Sequence, residues 1–405
     1  LKTIVIAGGG AAGFFTAINI AEKTDNARII ILEKTSHVLE KVRISGGGRC
    51  NVTHACFDPK ELVKFYPRGE RELLAPFMQF SPMHTIEWFA KRGVQLKQEA
   101  DGRIFPTSDS SETIVNCFYR SALAAGVEIC TREGLDSLKW DTHQRLWQVV
   151  TDKGRTILAN AVLFCTGSAH RGWQMLAELG HQVIAPVPSL FTFHVKDERL
   201  KNLAGISIKH AVVEVASMKL KETGPLLITH WGLSGPAVLR LSAWGARKMY
   251  EAKYRFLLSV DFSGIGFQRV FDALEQFKRT HPKKSILAHP QFEIPERLWK
   301  QLLPKEMEGK YWSQVSRKSL LEMVEHLTKA SFPVSGKSVF KEEFVTAGGV
   351  DLKEVDFKTM QSKIFPNLFF AGEVLNIDAL TGGFNFQAAW TTAWIASEAI
   401  RDLVS

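Results

Sequence analysis

Along the first forty residues, apolar and polar positions fall into blocks of distinct period. Thr3 to Ala7 is a short continuous apolar run, the pattern of a strand covered on both faces. Phe14 to Ala21 carries apolar residues at helical spacing, and Ile29 to Leu32 is a second buried strand that stops at Glu33. Further strands are expected at Gly126 to Cys130, in a hairpin over Trp140 to Thr151, and at Ala161 to Thr166. After Pro186-Val187-Pro188, which reads as a linker, the pattern changes. Ala211 to Val215 and Phe256 to Val260 alternate as in a barrel or sheet, and Phe267 to Thr280 and Ser316 to Lys329 have helical period. Pro282, Pro290, Pro295 and Pro304 punctuate the loops there. A strand near Val345, another at Asn367 to Ala371 and a long helix from Ala388 to Leu403 close the chain.

Between the first strand and helix lies Gly8-Gly9-Gly10-Ala11-Ala12-Gly13, a G-x-G-x-x-G turn, and Glu33 follows twenty residues after its last glycine. Gly8 permits the tight turn, Gly10 lets a pyrophosphate approach the backbone, and Gly13 lets helix and strand pack closely. The helix start, with Ala11 and Ala12, offers free N–H groups and positive dipole to phosphates. Glu33 is suited to an adenosine ribose with a free 2′-hydroxyl, and Lys34 to the same end of the ligand. The expected fold is therefore α/β. A Rossmann-like dinucleotide-binding domain is built from residues 1–188 and 341–405, and residues 189–340 form an insertion, β-barrel-like over about 189–262 and helical over about 263–330.

A second glycine-rich element, Lys41-Val42-Arg43-Ile44-Ser45-Gly46-Gly47-Gly48-Arg49-Cys50-Asn51, reads as an anion-cradling loop. Lys41, Gly47, Arg49, Cys50 and Asn51 are its candidate ligand contacts, Arg49 and Asn51 toward a polar ring edge. Near the C-terminus Gly372-Glu373 ends a strand, and Gly382-Gly383-Phe384-Asn385-Phe386 opens a helix whose N–H groups suit the negative N1/O2 edge of a reduced flavin. Thr166-Gly167 ends the strand where flavoproteins leave the nucleotide domain. These elements favour FAD over NAD, and the absence of a second complete glycine motif leaves NAD(P)H only the part of a transient donor. Ser263-Gly264-Ile265-Gly266 lacks the third glycine.

The segments IVIAGGGAAG, KVRISGGGRCNVT, THWGLSGP and FFAGEVLNIDALTGGFNFQAAW resemble, in order, the motifs of the bacterial HI-type, BaiN/RdsA-like family of FAD-dependent oxidoreductases. That resemblance implies noncovalent FAD, an inserted barrel-plus-helical domain, and reduction of carbon–carbon double bonds. By similarity, Gly8, Gly10, Gly13, Glu33, Lys41, Gly47, Arg49, Asn51, Gly372, Glu373, Gly382, Gly383 and Asn385 match family FAD-contact motifs. The chain departs from the pattern at Asn376-Ile377-Asp378-Ala379 and at Phe384, where Tyr is common in the family.

Composition changes this picture little. A chain of 405 residues, 45% hydrophobic, can bury more than one core. The glycines interrupt the apolar N-terminal stretch, which has no basic leader, so we expect neither a signal peptide nor a membrane span, and a cytoplasmic protein. Five cysteines at irregular spacing suit a reducing compartment and suggest no zinc site. The net charge of +9 fits pockets for anionic ligands in preference to a nucleic-acid surface, and residues 278–284 read as a solvated loop.

His230 and Arg49 are the catalytic candidates, His230 as a proton donor and Arg49 as a stabiliser of negative charge. A packed structural role is the alternative for His230. Two function classes stand. One is an oxidoreductase moving hydride through flavin N5 to or from a small, partly apolar organic substrate. The other is a flavin-bearing, RNA-associated binding protein without small-molecule turnover.

Overall fold

The computed structural model describes residues 1–338 and 345–404. These divide into two compact units, one formed by Leu1–Pro186 with Thr346–Ser405 and the other by Val187–Val345. The expected boundary at residues 340 and 341 lies outside the described residues.

The first unit is built on a seven-stranded sheet. Its central strand β1 (Lys2–Ala7) pairs in parallel with β2 (Ala27–Glu33) on one side and with Ala161–Phe164 on the other. Glu128–Thr131 extends the sheet beyond β2, and Leu368–Phe370 extends it beyond Ala161–Phe164, both in parallel. The strand order thus reverses direction at β1. In an open parallel sheet such a switch leaves a crevice at the carboxyl ends of the strands. Ile4, Val5 and Ile6 are fully buried, as the continuous apolar run requires of a strand covered on both faces.

Helix α1 (Ala11–Ala21) lies against the C-terminal helix Phe384–Val404. Thr16 Oγ1 donates to the Ala393 carbonyl at 3.2 Å, and the Phe15 ring meets Trp390 at 5.5 Å in an aromatic cluster with Trp88, Phe89 and Phe118. The two ends of the sequence therefore share one core.

The glycine-rich segment expected to be a loop is helical in its first part. Helix α2 spans Glu40–Gly48, but Ser45 is extended and Gly46 and Gly47 are left-handed, at φ 58° and 68°. The glycine turn is therefore confined to residues 45–48. Leu39 is the left-handed N-cap residue that starts α2.

The second unit contains a closed six-stranded barrel, in the order Phe193–Val195, Gly232–Ser234, Leu220–Ile228, Ser207–Val215, Phe256–Asp261, Ala330–Lys337. Val213 opposite Val260 and Phe256 opposite Val334 illustrate its register. Phe193, Val213, Leu226, Leu258, Val260 and Phe332 are fully buried in the core. Two features differ from the expected division into barrel and then helices. A sixteen-residue helix, Pro236–Glu251, falls among the strands, and the closing strand Ala330–Lys337 comes after the helices Phe267–Thr280 and Arg317–Thr328. Closure needs a strand to cover both edges left by the first five, and sequence order does not constrain where it comes from.

The Ser263–Gly266 turn is held from within. The Asp261 carboxylate accepts the N–H groups of Ser263, Gly264 and Gly266 at 2.8, 3.0 and 2.9 Å. These donors are spent on the protein's own acid, which suits a turn that carries no ligand.

Candidate functional site

Around the β1–α1 turn, each glycine has a different physical reason. Gly8 adopts φ +116°, and a Cβ there would collide with the Cys165 carbonyl. A Cβ on Gly13 would fall on the carbonyl oxygen of Gly8. Gly10 is at φ −90°, allowed for any residue, and a Cβ built on it meets nothing within 4 Å. Packing therefore requires Gly8 and Gly13, whereas Gly10 faces open space. Helix α1 begins there without a side-chain cap and with no acid in its first turn, so its dipole and leading N–H groups at Ala11 and Ala12 suit an anion.

Glu33 at the end of β2 accepts the Gly9 N–H at 2.9 Å with one oxygen, and with the other the N–H and hydroxyl of Thr35 at 2.8 and 2.7 Å. Its carboxylate thus fastens the glycine turn as well as standing where a ribose acid is expected. Lys34 is exposed, its Cβ beside Gly134.

A second group of expected contacts converges on one ion pair. Lys41 Nζ bonds the Glu373 carboxylate and the Ser168 hydroxyl, the latter at 2.8 Å. Gly167, at φ +59°, lies beside both side chains. The remaining Glu373 oxygen accepts the Thr346 N–H at 3.3 Å. Gly372, at φ +73°, donates its N–H to Thr392 Oγ1 at 3.0 Å and approaches Ala12. The buried Thr166 hydroxyl has no hydrogen-bond partner among the described residues and lies against Gly172.

Several residues expected to touch a ring edge fasten the loop instead. The Asn51 amide, with its nitrogen toward the Ile104 and Thr53 carbonyls, accepts the Gly383 N–H at 2.9 Å. Asn385 accepts the Ala379 N–H at 2.9 Å and donates back to its carbonyl at 3.2 Å. Gly383, at φ +92°, sits so close to the Thr53 backbone that a side chain has no room, and Gly382 is at φ +136°. The N–H of Gly383 is therefore taken, and any anion at this helix start meets the groups that follow. Phe386 stacks on Trp390 at 5.5 Å. Gly47 and Gly48 have positive φ and open space at their Cβ positions.

Arg49 is corrected more fully. Its guanidinium lies 3.9 Å over the Phe105 ring and bonds Glu99 at 2.6 Å and Asp109 at 3.3 Å. The hydrogen bond to Glu99 leads in raising its pKa, and two carboxylates offset its charge. Such an arginine anchors residues 49–54 to the Arg103–Pro106 strand and is not a free stabiliser of charge. Cys50 is fully buried and its thiol is pushed up to about 12 by burial, so it is a packed thiol. His230 lies on the turn between Leu220–Ile228 and Gly232–Ser234 and is exposed. Thr229, not His230, holds that turn, its hydroxyl accepting from Trp231 and Gly232 at 3.2 Å each. The packed alternative for His230 therefore fails.

Sequence reading missed a buried network behind the loop. Gln387 Oε1 accepts the hydroxyls of Thr53 and Thr85 at 2.6 and 2.9 Å, and its amide nitrogen donates to Thr391 at 3.0 Å. Asp378, fully buried, pairs with Arg68, which explains the acid in the segment that departs from the family pattern. His54 stacks on Phe384 at 4.5 Å, Nε2 is 3.1 Å from the Asp101 carbonyl, and burial lowers its pKa. Of these, only Asp378 stood out beforehand, as part of the segment that departs from the family pattern. Among the described residues no group of three His, Cys, Asp or Glu side chains is arranged to hold a metal ion, and no helix is long and apolar enough to cross a membrane.

The arrangement fits an extended dinucleotide: an open anion site at Gly10, an acid at the end of β2, and two turns of positive-φ glycines, of which Gly47 and Gly48 face open space. Comparison with known proteins agrees. The family model described as the HI0933-like protein Rossmann domain matches residues 2–399. A 3-dehydro-bile acid delta(4,6)-reductase of Clostridium scindens is 27% identical, over 99% of this chain and 100% of that protein. A ribosomal RNA dihydrouridine synthase of Escherichia coli is 26% identical, over 97% of this chain and 96% of that one. The crystal structure of a 3-ketosteroid-delta4-(5alpha)-dehydrogenase from Rhodococcus jostii shares the fold with a TM-score of 0.52 at 14% identity, covering 100% of this chain and 97% of that chain.

Proposed function

Because the chain belongs to the HI0933-like protein family over nearly its whole length, we propose that it is an FAD-dependent oxidoreductase that saturates a carbon–carbon double bond conjugated to a carbonyl. The observation that carries the cofactor assignment is Gly10: a position where a Cβ would meet nothing in the protein, left as glycine at the uncapped start of α1. A side chain there would stand in front of the helix N–H groups, where the absence of one lets a pyrophosphate approach the backbone. Glu33 would hold the adenosine ribose while bracing the Gly9 turn. The left-handed glycines at 46–48 and 382–383 would let backbone approach the rest of the cofactor.

When bound, the flavin supplies the hydride chemistry. The chain supplies position and protons. The names of two relatives support the bond type, since a 3-dehydro-bile acid delta(4,6)-reductase and a dihydrouridine synthase each saturate a ring carbon–carbon double bond in conjugation with a carbonyl. His230, exposed on its turn, is the candidate proton donor, and NAD(P)H the transient electron donor.

The test is anaerobic. Purified protein is expected to be yellow, to release FAD on denaturation, to be reduced by NADH or NADPH, and to be reoxidised by an enone. Protein that neither retains nor rebinds FAD refutes the cofactor assignment, and reduced protein that no enone or uridine-containing substrate reoxidises refutes the bond type.

A further inference from the structure

The C-terminal helix Phe384–Val404 grips the segment that follows glycines 46–48 along one of its faces. Gly383 at its start, Gln387 and Trp390 recur at helical spacing and so point the same way. The Gly383 N–H donates to the Asn51 amide oxygen at 2.9 Å, Gln387 Oε1 accepts the Thr53 hydroxyl at 2.6 Å, and Trp390 Nε1 donates to the Val52 carbonyl at 2.9 Å. Residues 51–53 are thus held one by one. The Gln387 N–H also donates to the Gly383 carbonyl at 3.0 Å, which closes a ring through Gly383, Asn51, Thr53 and Gln387.

The side-chain part of this network has one orientation. Thr391 donates its hydroxyl to the Phe80 carbonyl at 2.8 Å, so its oxygen is left to accept, and it accepts from the Gln387 amide nitrogen at 3.0 Å. The Gln387 oxygen therefore faces the other way, where it takes the hydroxyls of Thr53 and Thr85 at 2.6 and 2.9 Å. Every hydroxyl proton is committed, and all four side chains are fully buried. Burying an amide costs desolvation that its hydrogen bonds do little more than offset, so apolar residues would attach helix to segment about as firmly. Apolar contact has no direction, however, whereas hydrogen bonds fix both separation and register.

Register matters at this place because the segment continues the glycines at 46–48, and the helix continues Gly382 and Gly383, the two positive-φ runs assigned to the cofactor. We infer that Gln387, acting through Thr53, is a positioning residue that sets the spacing of these two glycine runs and with it the place they leave for the flavin end of FAD. The inference rests on the FAD reading of the site. Thr85 supplies an internal control: it gives the same Gln387 oxygen the same kind of bond at the same burial, but from the helix Pro82–Ala90, which carries neither glycine run.

The experiment compares Thr53→Val, Thr53→Ser and Thr85→Val with the parent as loaded full-length proteins. Serial dilution, with released FAD read by its fluorescence, gives the affinity, and the sharpness of the flavin absorption band reports how firmly the ring is held. Thr53→Val and Thr85→Val each lose one buried hydroxyl and are expected to melt at similarly lowered temperatures. Thr53→Val is expected to bind FAD ~10-fold more weakly and to show a broader flavin band, whereas Thr53→Ser, which keeps the hydroxyl, and Thr85→Val are expected to stay within about threefold of the parent with its band shape. Gln387→Leu, which has no polar atom for any of the three threonines, is expected to lose at least as much affinity as Thr53→Val. Parent-like affinity and band shape in Thr53→Val, or equal losses in Thr53→Val and Thr85→Val, overturn the inference and leave the FAD assignment standing. A parent protein that holds no FAD overturns both.

Discussion

Asn385 closes the loop before the C-terminal helix on itself: its amide accepts the Ala379 N–H at 2.9 Å and returns a hydrogen bond to the Ala379 carbonyl at 3.2 Å. Seven residues, Ala379 to Asn385, including both glycines of the helix start, are thereby held as one ring. Asn385→Ala removes both bonds in a partly buried place, at about 1–3 kcal/mol. FAD titrated into the apo protein is expected to bind about 10- to 100-fold more weakly, and the apo form to melt at a lower temperature than the parent. Unchanged affinity would remove the loop from the cofactor site.

Gly10 and Gly13 are expected to fail in opposite ways. A methyl at Gly10 touches nothing in the protein, so Gly10→Ala is expected to melt as the parent does in the apo form and to lose FAD affinity. A methyl at Gly13 strikes the Gly8 carbonyl and crowds Cys165 Sγ at 3.0 Å, so Gly13→Ala is expected to lose ~1–3 kcal/mol of stability with or without FAD. Paired thermal melts of apo and loaded protein check both.

His181 places a pH limit on the first unit. Fully buried, it bonds Glu354 at 2.8 Å and Ser362 at 3.1 Å, and burial, opposed by Glu354, lowers its pKa. A depressed folded-state pKa means that the unfolded chain takes up the proton first as pH falls. The contribution of His181 is therefore complete above about pH 6.5 and is lost below it. Urea unfolding between pH 5 and 8 is expected to show stability falling below pH 6.5. His181→Gln is expected to be less stable at pH 8 and to have a flatter pH dependence.

His230 is exposed, so its replacement separates chemistry from folding. His230→Asn is expected to leave melting and FAD content unchanged and to slow substrate-dependent reoxidation by ~10²-fold in anaerobic stopped flow, with reduction by NAD(P)H unaffected. Reoxidation at the parent rate would assign the proton to solvent.

The sequence by itself determined the α/β class, the β1–α1–β2 unit, and the need for Gly8 and Gly13 in its turn. Each follows from local rules: apolar runs of strand length, helical spacing, and a turn whose φ angle and close packing only glycine satisfies. Phe267–Thr280 was legible to the residue for the same reason. Tertiary structure decided what each polar side chain in the motifs does. Whether Arg49 and Asn51 point at a ligand or at Glu99 and Gly383 depends on partners fifty and more than three hundred residues away, and no local pattern encodes such a pairing. The same holds for the barrel's closing strand Ala330–Lys337. Periodicity reports which face of an element is covered, while long-range hydrogen bonds and charge neighbours exist only once the chain has folded.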